Sequence, residues 1–297
     1  MCNKFLVFFF LIIVYRFEAQ ANDSTRFCIA VVQLRSSDVG NFDKMDHLAK
    51  EAKAKGAEMI IFPEESLFGW LNPVAFQKAE PIPGEYASAF VKIAAQNKIW
   101  VATGLAEQGP PINAGYHEAY DAAILISPAG TIELHYRQHN VIRNAFSVCS
   151  SARNQDSCSY TPGLLSEIGV AQTPMGRIGI LVCDDAYTYD TSVLYRLKLL
   201  QPDVVIVNWG VTAGVIDSCG KPFYNATAYA TQAAQYLKTA YVVGANGTGN
   251  RPYGRFLPSC YCGTSGFVYP DGRIGAEANT TEEMLLLYLP MRDRNSK

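Results

Sequence analysis

The chain of 297 residues is 49% hydrophobic and 18% charged, with a formal net charge of −2. That apolar content is enough to offset the entropy of ordering such a chain, which excludes a disordered or fibrous protein. The near-neutral balance leaves no electrostatic footprint for nucleic acid. One lysine, Lys4, precedes an apolar run of eleven residues at 5–15, and Ala19-Gln20-Ala21 follows. A short apolar run closed by a small-x-small triplet reads as a secretory signal peptide over residues 1–21, cleaved to leave a mature chain of 22–297. The run is shorter than the ~20 residues that cross a bilayer. No later segment reaches that length, so the mature chain is expected to carry no membrane span and to be secreted, extracellular or periplasmic.

The mature chain alternates between helix and strand patterns. Residues 41–55 are amphipathic, with Met45, Leu48, Ala49 and Ala52 on one face and Gly56 as the C-terminal stop. A buried strand is expected at 58–62, then a helix at 85–96 and a strand at 99–103. Two further strands, 121–127 and 131–138, flank the turn Pro128-Ala129-Gly130. The second half runs strand 178–182, helix 191–200, strand 204–208, helix 223–237 and strand 240–245. Strands then flank Pro270-Asp271-Gly272, and a last apolar run spans 284–289. This alternation, without a linker or charge block, predicts one α/β domain of layered sheets over residues 22–297. The Pro-x-Gly turn shared by the two halves hints at an internal duplication.

Of eight cysteines, Cys2 leaves with the leader. Seven remain, enough in an oxidising compartment for at most three disulfides and one thiol left over. Cys149 and Cys158 are expected to bridge, and Cys219 to pair with Cys260 or Cys262; Cys28 reads equally well as a buried inert thiol. Four Asn-x-Ser/Thr sequons, at Asn22, Asn225, Asn246 and Asn279, suit a glycoprotein.

Three places end apolar strands with polar residues. Phe62-Pro63-Glu64-Glu65 puts carboxylates past a strand, where α/β proteins place their sites. Gly179-Ile180-Leu181-Val182-Cys183-Asp184-Asp185 presents a cysteine at a strand end, where a nucleophile belongs. His135-Tyr136-Arg137-Gln138-His139-Asn140 closes the first hairpin. His135 and His139 have HxxxH spacing, but on a strand they read as surface or packing residues. Asp184 and Asp185 read as an exposed acidic turn, with Asp185 in a structural role, rather than as a metal pair.

These pieces carry a resemblance. From about Phe27 to Pro290 the chain is similar to the nitrilase, or carbon–nitrogen hydrolase, superfamily. The matching motifs are Phe62-Pro63-Glu64 with Gly69-Trp70, Gly179 to Cys183 with Asp185, Asn208-Trp209, Tyr241 to Asn246, and Gly263-Thr264-Ser265-Gly266 running into Pro270-Asp271-Gly272. The leader brings to mind its secreted pantetheinase (vanin) and biotinidase group. The resemblance implies an α-β-β-α sandwich of two packed mixed sheets flanked by helices, and a Glu–Lys–Cys triad with no cofactor or metal. Cys183 would attack a small amide or nitrile and Glu64 would move the proton. It also implies a homodimer or higher homo-oligomer. The departure is at the lysine: the family's Tyr-Arg-Lys is Tyr136-Arg137-Gln138 here, and no lysine occurs between Lys98 and Lys198. A one-residue slip to Arg137 would turn the side chain to the opposite face. Arg143 is a second candidate cation, in the loop after the strand. Many members carry a second glutamate before the nucleophile, whereas between Glu133 and Glu167 the one acid here is Asp156. The readings are therefore a carbon–nitrogen hydrolase with Gln138 at the lysine position, a catalytically impaired relative acting as a binding or assembly module, and an unrelated Cys–His hydrolase using His135 or His139.

Overall fold

The computed structural model describes residues 26–113, 116–143, 145, 159–212, 225–253 and 259–290. The leader, the Asn22 sequon, Asp156 and cysteines 149, 158 and 219 lie outside them. In chain order the elements are β1 (Arg26–Arg35), α1 (Phe42–Ala54), β2 (Met59–Ile61), α2 (Pro73–Gln77), α3 (Glu85–Asn97), β3 (Trp100–Asn113), β4 (Tyr116–Ile126) and β5 (Ile132–Arg137). There follow β6 (Val170–Thr173), β7 (Gly176–Val182), α4 (Ser192–Leu199), β8 (Val204–Trp209), α5 (Ala226–Leu237) and β9 (Tyr241–Arg251). The chain closes with β10 (Ser259–Cys262), β11 (Gly266–Val268), β12 (Ile274–Glu277) and β13 (Glu283–Pro290).

Parallel strands covered on both faces are apolar throughout, and the all-buried β8, Val-Val-Ile-Val-Asn-Trp, shows why this sequence builds such a centre. The first sheet runs β13-β1-β2-β3-β4-β5, with β1, β2 and β3 parallel and the others antiparallel. The second runs β6-β7-β8-β9-β11-β12, with β7, β8 and β9 parallel. Each half thus has three parallel strands followed by an antiparallel pair around a Pro-x-Gly turn. Two pairings, Leu34 with Gly247 and Arg35 with Thr248, join the sheets at one end.

The two-residue period of the strands sorts the core into layers. Ile29, Met59, Ala102 and Ala123 face the second sheet. Their neighbours Ala30, Ile60, Val101 and Ile124 pack on Met45 and Ala49 of α1 and Phe90 and Ala94 of α3. Helices α4 and α5 cover the outer face of the second sheet through Val193, Leu197, Ala230 and Ala234. The architecture is the α-β-β-α sandwich that the resemblance implies.

Two elements differ from expectation. The strand expected at 99–103 continues to Asn113, because Gly109-Pro110-Pro111 sits in a register irregularity between Gln108 and Pro111 instead of ending the ladder. The helix expected from 223 is described from Ala226, after the cap Asn225, whose side chain accepts from the Ala228 N–H at 3.1 Å. The cysteine expectation also changes. Cys28, Cys183 and Cys262 are free and buried, so Cys183 is not a single leftover thiol. Cys260 is disulfide-bonded, to a partner outside the described residues.

The sequons separate in the same way. Asn246 is buried, and its amide donates to the carbonyls of Val211 at 3.1 Å and Gly263 at 2.8 Å, while Asn279 is exposed. Produced through a eukaryotic secretory host, the chain is expected to carry glycan at Asn279 and none at Asn246, which peptide mapping after enzymatic deglycosylation reads directly.

Candidate active site

Cys183 follows the last residue of β7 and opens a single 3-10 turn, Cys183–Ala186, with φ at 39°. A cysteine in the left-handed region costs on the order of 1–3 kcal/mol, strain that collects at functional sites. Here it turns the thiol out of the strand direction, between the sheets.

Glu64 reaches the same place from the first sheet. The Asn208 amide donates to the Phe62 carbonyl at 2.5 Å, and the Glu64 N–H donates to the Trp209 carbonyl at 3.3 Å. These bonds hang the end of β2 on the end of β8. Two glycines make room for it. A Cβ on Gly104 would stand 2.7 Å from the Glu64 Cα, and one on Gly210 would stand 2.4 Å from Glu64 Oε2. The Gly210 backbone N–H also donates toward the Cys183 sulfur, where a developing negative charge needs it.

Gln138 comes from the end of β5. Its N–H donates to the Asp121 carbonyl at 2.8 Å, and its buried amide donates to the carbonyl of Val182, the residue before Cys183, at 3.3 Å. Arg137 points to the opposite face, where its guanidinium grips Glu107 with bonds of 2.9 and 2.7 Å and lies over the Tyr120 ring. His135 joins it on that face, 2.8 Å from Glu107. His139 bonds the Gly163 carbonyl at 2.7 Å, and Arg143 is exposed. Glu64 and Cys183 are therefore brought together, with Gln138 beside them. His135, Arg137 and Arg143 are held elsewhere, and no histidine is among the groups acting on the thiol.

Asp185 corrects the expectation of an exposed turn. It is fully buried and accepts from the Tyr136 hydroxyl at 2.6 Å and from the N–H groups of Asn140 at 2.8 Å and His139 at 3.3 Å. Burial lifts its pKa to about 6 against the pull of those donors. Its work is to lock the segment after Gln138 onto the turn that carries Cys183.

Asp121, which no strand-end motif singles out, completes the surroundings with the strand-end pair Glu64 and Glu65. Glu64, Glu65 and Asp121 are all buried, and among the described residues no N–H donates to their six carboxyl oxygens; Glu64 stands against Asp121 and the Cys183 thiol, and Glu65 against the Tyr160 hydroxyl. Burial, then the charge of Cys183, holds Glu64 well above the usual carboxylate range; burial and Asp121 do the same to Glu65, and burial and Glu64 to Asp121. Burial, and then Asp184, pushes the Cys183 thiol up, against the opposing pull of the Gly210 N–H and Glu64. Tyr160 stands beside Glu65 and Asp121. The signal for Asp121 was an acid inside the otherwise apolar strand 119–126. Among the described residues no group of three or more His, Cys, Asp or Glu side chains is arranged to hold a metal ion.

Comparison with known proteins shows the family and the fold. The carbon–nitrogen hydrolase family profile matches residues 28–291. An omega-amidase of Xenopus laevis is 25% identical over 239 residues, covering 78% of this chain and 83% of that protein. The nitrilase and fragile histidine triad fusion protein of Drosophila melanogaster is 29% identical over 190 residues, 61% of this chain and 38% of the fusion. The omega-amidase of Danio rerio is 27% identical over 64% of this chain and 66% of its own length, so the chain spans less than two thirds of these last two relatives. Among solved structures, the Caenorhabditis elegans NitFhit protein aligns with a TM-score of 0.70 at 21% identity, over 90% of this chain and 61% of its own. A mutant amidase from Nesterenkonia sp. AN1, carrying the Michael addition product of acrylamide at its active site cysteine, aligns at 0.67 and 18% identity, over 91% of this chain and 97% of its own.

The face assignment of Arg137 and Gln138 is testable. Arg137→Met leaves Glu107 buried without its fork and is expected to cost about 3 kcal/mol, the low end of the range because a quarter of the Arg137 side chain is exposed. Chemical denaturation measures that loss, while the alkylation rate of Cys183 in the folded variant stays within about threefold of wild type, a change below 1 kcal/mol.

Proposed function

Because the chain belongs to the carbon–nitrogen hydrolase family, we propose that it cleaves a small amide through Cys183 and Glu64, with Gln138 at the position where the resemblance places a lysine. The observation that carries this reading is the Cys183 sulfur at a left-handed elbow, in contact with the buried Glu64 carboxyl and facing the Gly210 N–H. Glu64 as carboxylate takes the thiol proton while sulfur bonds to the carbonyl carbon, and the electron pair moves onto the carbonyl oxygen. Collapse of that intermediate breaks the carbon–nitrogen bond, Glu64 returns the proton to the leaving amine, and a thioester remains. Water deprotonated by Glu64 then releases the acid and restores the thiol. Gln138 offers an N–H donor without charge, and a charge-assisted bond is roughly twice as strong as a neutral one. A nitrile would enter the same sequence through a thioimidate.

The leader-like residues 1–21 and the disulfide at Cys260 support secretion as part of this proposal. A second reading, a binding module without turnover, draws on the same site. Burial and the neighbouring groups hold Glu64 protonated into the range where it should act as base.

The two readings part on one experiment. Incubated with a panel of small amides, the wild-type chain is expected to release ammonia or amine, with a covalent adduct at Cys183 by mass spectrometry; Cys183→Ala gives neither. Activity rises with pH beyond the ordinary carboxylate range, because Glu64 must first lose a proton that the site holds tightly. Gln138→Lys supplies a cation, draws the Glu64 pKa down and is expected to raise Cys183 alkylation at pH 7 about tenfold, one pKa unit. No product and no adduct from wild type, with ligand binding kept in Cys183→Ala, would leave the binding reading standing.

A further inference from the structure

Glu64 and Asp121 are buried side by side with their carboxyl groups within hydrogen-bond reach of each other, and among the described residues no N–H donates to either. Asp121 sits on β4, beside Gln138 through the backbone bond to its carbonyl and on the strand face that packs against the second sheet. Among the described residues, the other titratable groups that act on the pair are acidic. Glu65 follows Glu64 in chain, Cys183 and Asp185 come from the turn after β7, and the Tyr160 hydroxyl comes from the segment before β6. Two described arginines are engaged elsewhere: Arg137 with Glu107, and Arg251 over the Trp70 ring with a bond to the Tyr253 carbonyl at 2.5 Å. Among the described residues no cation faces the pair.

Two buried carboxyl groups in contact do not both ionise; one keeps its proton. Glu64 is the member that touches the thiol and the Gly210 N–H side of the site. We propose that Asp121 is a positioning residue that stays protonated and donates its O–H to the Glu64 carboxylate, holding that base ionised where the family uses a cation. This rests on the reading of Glu64 as the base for Cys183. In the step itself the S–H bond breaks, the proton moves to the free Glu64 oxygen and sulfur bonds to carbon; the Asp121 proton stays on Asp121. A neutral O–H aimed at an anion makes a short, strong hydrogen bond.

The test is the pH profile of Cys183 alkylation by iodoacetamide in the full chain, read at the Cys183 peptide, for Asp121→Asn and Asp121→Leu. Asparagine donates without titrating, so Asp121→Asn is expected to keep the acid limb at or below its wild-type position and the pH 7 rate within about threefold. Leucine donates nothing, so Asp121→Leu is expected to move the acid limb up by about one unit and lower the pH 7 rate about tenfold. An acid limb unmoved in both variants would make Asp121 purely structural. A limb moved down in both would show that Asp121 is ionised in wild type. Either result overturns the proposal. Infrared spectroscopy at pH 7 keeps it testable if Asp121→Leu does not fold: a protonated-carboxyl band present in wild type and lost in Asp121→Asn supports it, and its absence from wild type overturns it. The expected profile without hydrolysis of any amide supports the pairing and removes the hydrolase reading instead.

Discussion

Carboxylates are costly to bury as ions, by several kcal/mol each even after the protein relaxes around them. Around Cys183 the sandwich buries Glu64, Glu65 and Asp121 together, and the described residues place no cation against them. Protonation is the available response, and each of the three carboxyl groups is held above its ordinary range. The chemistry of the site depends on this constraint. A base that is protonated does nothing for a thiol, and a thiol pushed up by burial and Asp184 does not ionise unaided. Gln138, beside these acids, brings an N–H donor and no charge to the cluster.

The fold creates this situation by suspending the site between two sheets. Asn208 on β8 holds the Phe62 carbonyl, the Glu64 N–H holds Trp209, and Asp185 ties the Gln138–Asn140 segment to the cysteine turn. Each bond joins elements far apart in sequence, so the distances between Glu64, Cys183 and Gln138 are set by the sheet-to-sheet packing rather than by loops. The glycines at 104 and 210 belong to the same design, since a methyl at either would collide with Glu64. Close packing explains why burial raises the pKa of each of these acids.

Much of this was legible in the chain because strand ends announce themselves. Val182-Cys183 and Phe62-Pro63-Glu64 pair an apolar run with an abrupt polar residue, and the side-chain period of two placed Gln138 and Arg137 on opposite faces before any coordinates. The helix and strand centres were readable for the same reason, and their limits were not: Gly109-Pro110-Pro111 carries every sign of a breaker, yet the long β3–β4 hairpin absorbs it as an irregularity. Asp121 escaped notice because it stands within a strand and acquires meaning only when β4 is laid beside Glu64. Asp185 reads as a structural residue in an exposed turn, since nothing local reveals that Tyr136 and two backbone N–H groups converge on it from another part of the chain. Cys28 and Cys262 entered a disulfide count that burial alone decides against them.

The central claim is that the buried acids, with no cation of the described residues against them, raise the pH at which Glu64 ionises, and its own titration tests this most directly. Carbon-13 NMR of the Glu64 carboxyl, assigned by comparison with Glu64→Gln, follows that group in wild type and in Gln138→Lys. The account predicts a midpoint well above the ordinary glutamate value of 4.5 in wild type and a clear fall in Gln138→Lys. An ordinary midpoint in wild type, or one that does not move with the lysine, would contradict it.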